Sequence, residues 1–231
     1  TGVQTCALPI LHSIFSIPVG AFLFSMLAAS LLFGLALMRN VSSQTIILAG
    51  IALLFLFQSL LSLLQFVSSP ELNQQIVFWL FGSLMRTTWQ TLTITTVVTL
   101  VCAVLLYRDA WKLTCLRLGE ARARSLGVNI NRLRIKTLVL VALMTATAIS
   151  FVGIIGFVGL VAPHIGRMLI GEDQRFLIPL SALCGAAILS VSSVISKSIV
   201  PGALFPIGIV TAIIGVPFFI WLILGRGRKH A

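Results

Sequence analysis

His164, Glu172 and Asp173 are the nearest this sequence comes to a reactive cluster: a histidine able to carry a proton, with two carboxylates a short distance downstream. A hydrolytic centre needs a nucleophile beside a base, and a metal centre needs ligands at fixed spacing. His164 instead follows Pro163 and precedes Arg167 by one turn, the setting of a helix-end or interface residue, and we read the trio as structural. The glycines of GIIGFVG (Gly153 to Gly159) resemble a phosphate loop only superficially. No Lys-Ser or Lys-Thr pair follows them, and in an apolar run such glycines allow close helix packing. Cys6, Cys102, Cys115 and Cys184 show no paired spacing and read as packing thiols. The sequence therefore nominates no catalytic residue and no metal ligand.

What it does offer is a basic island, LRLGEARARSLGVNINRLRIK (Leu116 to Lys136). Arg108, Lys112, Arg117, Arg122, Arg124, Arg132, Arg134 and Lys136 are opposed there only by Asp109 and Glu120. Leu118, Ala121, Ser125 and Leu126 are expected on one face of a short helix. Glu120 suits the positive end of its dipole, and Gly127 is placed as a left-handed C-terminal cap. Asn129 or Asn131 can cap a second helix that leads through Arg132 and Arg134 into the next apolar run. Two short helices joined at a glycine make a rigid knuckle, the one place where a soluble partner could grip.

The elements that position this island belong in a bilayer. Hydrophobic residues make up 58% of the 231 and charged ones 9%, with a mean hydropathy of +1.12. Such a composition is far too apolar for a soluble domain. The 16 Lys and Arg against five Asp and Glu fall in short clusters between apolar runs. That is the signature of membrane topology and not of a nucleic-acid surface.

A helix needs about 20 apolar residues to cross about 30 Å of hydrocarbon. Uncharged runs of that kind cover Ile14–Met38, Thr45–Val67, Trp89–Tyr107, Phe176–Val200 and Phe205–Leu224. Gln58, Ser59, Ser62 and Gln65 lie along one side of the second run and should face protein or a water-filled path. Ser69 is placed to cap a short helix starting at Pro70, followed by an amphipathic surface segment from Ile76 to Leu84.

Both the island and the closing GRGRKH are basic, so an even number of crossings must separate them. The uncharged stretch Thr137 to Ile165 then has to cross and return. It is too long for one helix and short for two, so a full span and a short returning segment are expected. Gly153, Gly156, Gly159 and Pro163 supply places for the helix to stop. A broken helix at membrane depth must be covered by protein or line a cavity. On this assignment only Arg86 and Lys197 lie near the outer face. The opening TGVQTCALPI fits poorly with the rest of the chain and reads as an artefact or a truncated start. Residues 11–231 are expected to form a single transmembrane domain.

Three motifs then stand together in order: GEARARSLGV, GFVGLVAPHIGRMLIGEDQRFLIP and FPIGIVTAIIGVPFFIWLIL, with ILAG and FWLFGSL upstream (Ile47 to Leu84). In these the chain resembles the FecCD-type permease subunits of ABC importers for iron siderophores, haem and cobalamin, over about residues 14 to 228. The resemblance implies an all-α polytopic membrane protein, the C-terminal seven or so helices of a ten-helix permease with cytoplasmic coupling helices in a loop at about 108–136. It implies a multi-pass protein of the bacterial or archaeal inner membrane with a cytoplasmic C-terminus.

The implied partners are a second permease subunit in a homodimer, two cytoplasmic ATPases, an extracytoplasmic substrate-binding protein and membrane lipid. ATP and Mg would be bound by the ATPases, with no cofactor and no enzymatic chemistry in this subunit. Gly119, Glu120, Ala121, Arg124, Ser125, Leu126 and Gly127 would face the ATPase. Lys197 and Arg86 would meet the binding protein, and Gly156, Gly159, Pro163, His164 and Arg167 would belong to the returning segment.

The chain departs from the family pattern by lacking the first three helices. It also carries Ser193, Lys197 and Leu204 where the family often has Asp, a basic residue and Glu. The alternative reading is an ion-coupled secondary transporter or channel. That would call for an ionisable residue inside a span, and the spans have none away from their ends.

Overall fold

The computed structural model describes residues 16–37, 43–199 and 206–227, and every regular element among them is helical. Cys6 and the rest of the opening segment, Arg39, Asn40, Leu204 and the tail after Gly227 lie outside the described residues, and so do the expectations placed on them. In chain order the helices are α1 (Ser16–Leu37), α2 (Ser43–Val67), α3 (Pro70–Leu80), a 3-10 turn (Leu84–Arg86), α4 (Trp89–Arg108), α5 (Ala110–Arg117), α6 (Glu120–Ser125), α7 (Ile130–Val152), α8 (Val158–Ile170), α9 (Gln174–Ile199) and α10 (Ile207–Gly227).

Among the described residues, four stretches are long and apolar enough to cross a membrane: Ile47–Val67 within α2, and the whole of α4, α7 and α9. The expected boundaries hold closely because charge and aromatic residues mark where hydrocarbon ends. Large apolar side chains such as Leu54, Phe55, Leu63, Val104 and Leu183 stand exposed around the outside. That inversion of a soluble protein is what a lipid solvent requires.

Helix α7 is central, with α1 and α4 packed on it, while α8 and α9 form a hairpin that α10 adjoins. Lipid tails are as apolar as Leu, so helices associate in membranes by close packing of small residues and not by hydrophobic exclusion. The buried residues fit that rule: Cys102, Ala146, Ala162 and Gly166 are among them. A Cβ on Gly166 would come within 3.0 Å of Leu177 Cδ1 and Ser181 Oγ, so α8 and α9 touch almost backbone to backbone.

Helix α3 starts as expected, with Pro70 at its first turn and the Ser69 hydroxyl accepting from Leu72 N at 3.4 Å. It stops at Leu80, earlier than the Ile76 to Leu84 surface segment predicts. The cause is tertiary. Ser83 N donates to Val152 O at 2.8 Å and Gly208 N donates to Phe81 O at 3.1 Å, so residues 81–83 are held by the end of α7 and the start of α10. Gly82 and Gly153 have φ of +67° and +79°. A Cβ on Gly153 would lie 2.5 Å from Trp79 O.

The full span and short return expected between Thr137 and Ile165 are present as α7 and the 13-residue α8. The break between them sits elsewhere than Gly159 and Pro163. It is made by Gly153 and by Phe157, a non-glycine residue at φ +65°, while Gly156 lies within the break with its carbonyl accepting from Val158 N at 2.8 Å. Gly159 is helical in the first turn of α8 and Pro163 lies inside it. Proline removes one donor, which a short helix tolerates when its neighbours hold it in place.

Candidate functional site

The basic island folds into three helical pieces, one more than the sequence suggested. Asp109 ends α4 and starts α5. Gly119, at φ +104°, separates α5 from α6, and such a φ is open to glycine alone among common residues. Helix α6 ends in a Schellman arrangement: Gly127 N donates to Arg124 O and Val128 N to Ala123 O, each at 3.0 Å, with Gly127 at φ +78°. Asn129, and not Asn131, caps α7, its Oδ1 accepting from Arg132 N at 3.1 Å.

The knuckle has its own small core of Cys115, Ala123, Val128, Ile130 and Leu133, with Leu113 and Leu116 packed against it. The expected apolar face of α6 is corrected here. Leu118 caps α5 and is not on α6, and Leu118, Ala121, Ser125 and Leu126 are all exposed, while Ala123 is the position that packs. A helix of six residues makes under two turns, so a single position can face inward. Leu118 and Leu126 are left 56% and 52% exposed outside any span.

Ionic contacts brace the knuckle from three directions. Glu120 pairs with Arg134 of α7 at 3.0 Å and with Arg124 at 3.5 Å. Both pairs are largely solvated, so each contributes at most about 1 kcal/mol. Asp109 is buried and accepts from Lys112 at 2.7 Å and from Lys136 of α7. The hydrogen bonds from Lys112 and Lys136 hold its carboxyl below the usual aspartate range. Arg117 reaches Glu172 in the α8–α9 turn at 2.6 Å.

The structure thus brings the predicted ATPase-facing residues Gly119, Glu120, Ala121, Arg124, Ser125, Leu126 and Gly127 into one exposed, braced projection. Lys197 stands exposed in the last turn of α9. Arg86 closes the 3-10 turn, and its side chain lies outside the described residues. His164 is half-buried in α8 and Arg167 is exposed in its last turn.

Glu172 and Asp173 do not gather around His164 as a reactive set. One pairs with Arg117, and the other binds Arg175 N and the Thr114 hydroxyl. On α2, Gln58, Ser59 and Ser62 are exposed and Gln65 is half-buried. Sequence reasoning missed α5, Asp109 and Thr114, because their partners lie 27 to 60 residues away.

Comparison with known proteins supplies a family. A profile described as the FecCD transport family matches residues 2–225. The hemin transport system permease protein HmuU of Yersinia pestis is 35% identical over 229 residues, covering 99% of this chain and 69% of that protein. The vitamin B12 import system permease protein BtuC of Vibrio vulnificus is 33% identical over 212 residues, covering 92% of this chain and 62% of its own length. A solved structure described as an inward-facing, metal-chelate type ABC transporter superposes with a TM-score of 0.84 at 34% identity, covering 92% of this chain and 68% of that one. The chain therefore spans about two thirds of the length of the relatives it matches.

Proposed function

The chain belongs to the FecCD transport family, and from that premise we propose that it serves as the membrane-spanning permease subunit of an ATP-binding-cassette importer for a metal chelate. The observation that carries the reading is the knuckle itself. Two exposed leucines, Leu118 and Leu126, and a fringe of arginines stand outside the spans on a fixed, separately cored projection. An apolar centre with a charged rim is what a docked soluble protein requires. Two ATPases would grip the knuckles of two permease copies and supply the ATP and Mg chemistry.

The basic end is then the cytoplasmic one, as the excess of Lys and Arg there supports, and the C-terminus lies on that side. A binding protein would meet the opposite end near Lys197 and Arg86. On the otherwise apolar α2, the polar stripe Gln58, Ser59 and Ser62 is left for the second copy or the water-filled path to cover. Closure of the ATPases would displace both knuckles and tilt the helices between outward-open and inward-open arrangements. The names of hemin and vitamin B12 permeases among the relatives support a chelate of that class as cargo.

The test is co-purification. The permease is expressed with the ATPase and binding protein encoded beside it and isolated through a tag on the permease. A stoichiometric ATPase that Leu126→Asp releases is the expected result. A permease that purifies alone and conducts ions without ATP would overturn the reading in favour of a channel or ion-coupled transporter.

A further inference from the structure

The first amide of α9 is capped from a distant part of the chain. Gln174 N donates at 3.0 Å to the hydroxyl of Thr114 in α5, sixty residues earlier. That hydroxyl lies 3.2 Å from Asp173 Oδ1, which also accepts from Arg175 N at 3.0 Å, and 3.1 Å from Ala110 O. A helix usually caps its own N-terminus with the side chain just before it. Here Asp173 does part of that work, and α5 supplies the rest.

We propose that this shared cap is the joint through which movement of the knuckle reaches α9, with Thr114 as the positioning residue; the proposal rests on the ATPase-docking reading above. Helix α5 cannot move independently of the knuckle, because Cys115, Leu113 and Leu116 pack into its core and Asp109 ties the start of α5 to Lys136. Toward α9, the polar contacts of α5 among the described residues are the Thr114 cap and the Arg117–Glu172 pair. That pair is 38% and 61% exposed on its two side chains, so water competes for it. The Thr114 contacts are half-buried and directional, which suits them to hold an angle as well as a distance.

Helix α9 has 26 residues, a rod of about 39 Å, and ends at the exposed Lys197. Helix α8 travels with it through the Gly166 contacts with Leu177 and Ser181. A displacement at the ATPase end therefore reaches the binding-protein end as rotation of one hairpin.

The experiment compares the parent, Thr114→Val and Thr114→Ser as permease–ATPase complexes in lipid nanodiscs. Valine keeps the shape and removes the hydroxyl, and serine keeps the hydroxyl. ATP hydrolysis is measured with and without loaded binding protein, and exchange of the Gln174 amide is followed in the same samples. The expected result for valine is a retained ATPase, a basal rate within about twofold of the parent, stimulation reduced at least about fivefold, the low end of typical coupling, and faster Gln174 exchange. Serine should behave as the parent does. Full stimulation in the valine variant would overturn the proposal, and so would loss of the ATPase from that variant alone, since Thr114 would then act in docking. A parent that retains no ATPase would instead overturn the docking reading, and this is seen before any variant is made.

Discussion

Replacing Asp109 by Asn should loosen the whole knuckle, and the size of the effect can be worked from its contacts. The carboxylate is 9% exposed, whereas its partners Lys112 and Lys136 are 51% and 43% exposed. A charge-assisted hydrogen bond contributes about 1.5–3 kcal/mol when both partners are dry. With half-solvated lysines, which return to water when the acid is removed, roughly 1 kcal/mol for each bond is the better figure. The loss is then about 2 kcal/mol, or close to a 30-fold rise in the open population at about 1.4 kcal/mol per tenfold.

Trypsin reads this directly, because the loop is rich in Lys and Arg and cleavage tracks the open population when reclosing is fast. Asp109→Asn should be cut about 30-fold faster within residues 108–136, at neutral pH and low salt. In a Lys136→Met background the same substitution should cost less, because one of the two bonds is already gone. The pH dependence has a fixed sign. The folded-state pKa of Asp109 is depressed, so its contribution is complete above the ordinary aspartate value of about 4. It is lost as pH falls through the lower, folded value. Cleavage within twofold of the parent, or an undiminished effect in the Lys136→Met background, would refute the reasoning.

Two further outcomes concern the opposite end of the molecule. Gly153→Ala should destabilise by about 3 kcal/mol or more, since the added Cβ meets Trp79 O at 2.5 Å and the backbone lies at φ +79°. A melting temperature in detergent equal to the parent's would show that the junction yields. Lys197→Glu should weaken docking of the binding protein at low salt and have little effect at high salt, because exposed charges are screened. Titration at two ionic strengths checks this, and an unchanged affinity at low salt removes Lys197 from that surface.

The spans could be read from the sequence because hydrocarbon imposes a length and forbids charge, as Trp89 and Arg108 at the two ends of α4 illustrate. Local caps were equally legible: Ser69 before Pro70, and Gly127 after a six-residue helix, each solve a problem confined to one turn. The choice between Asn129 and Asn131 stayed open, since either can cap and only the packing of Ile130 and Leu133 into the knuckle core selects the register. The break after α7 was expected, but its site was not. Gly153 is singled out by the backbone of Trp79 and Gly82 pressed against it, and nothing near Gly153 in sequence announces that neighbour. Helix α5 escaped for the same reason. It is short, and what fixes it is Lys136 and Asp173, distant along the chain.

Helix α8 has a consequence for how the protein is made. Its 13 residues extend about 20 Å, well short of the about 30 Å of hydrocarbon a segment must cover to stay inserted by itself. It also starts from a broken backbone whose polar groups lipid cannot satisfy. On leaving the ribosome, α8 has nowhere stable to go until α9 emerges and offers the surface around Leu177, Ser181 and Gly185. The pair must then enter the bilayer as one hairpin, turned at Gly171. The orientation of the last three helices is thus decided in a single insertion event, late in synthesis.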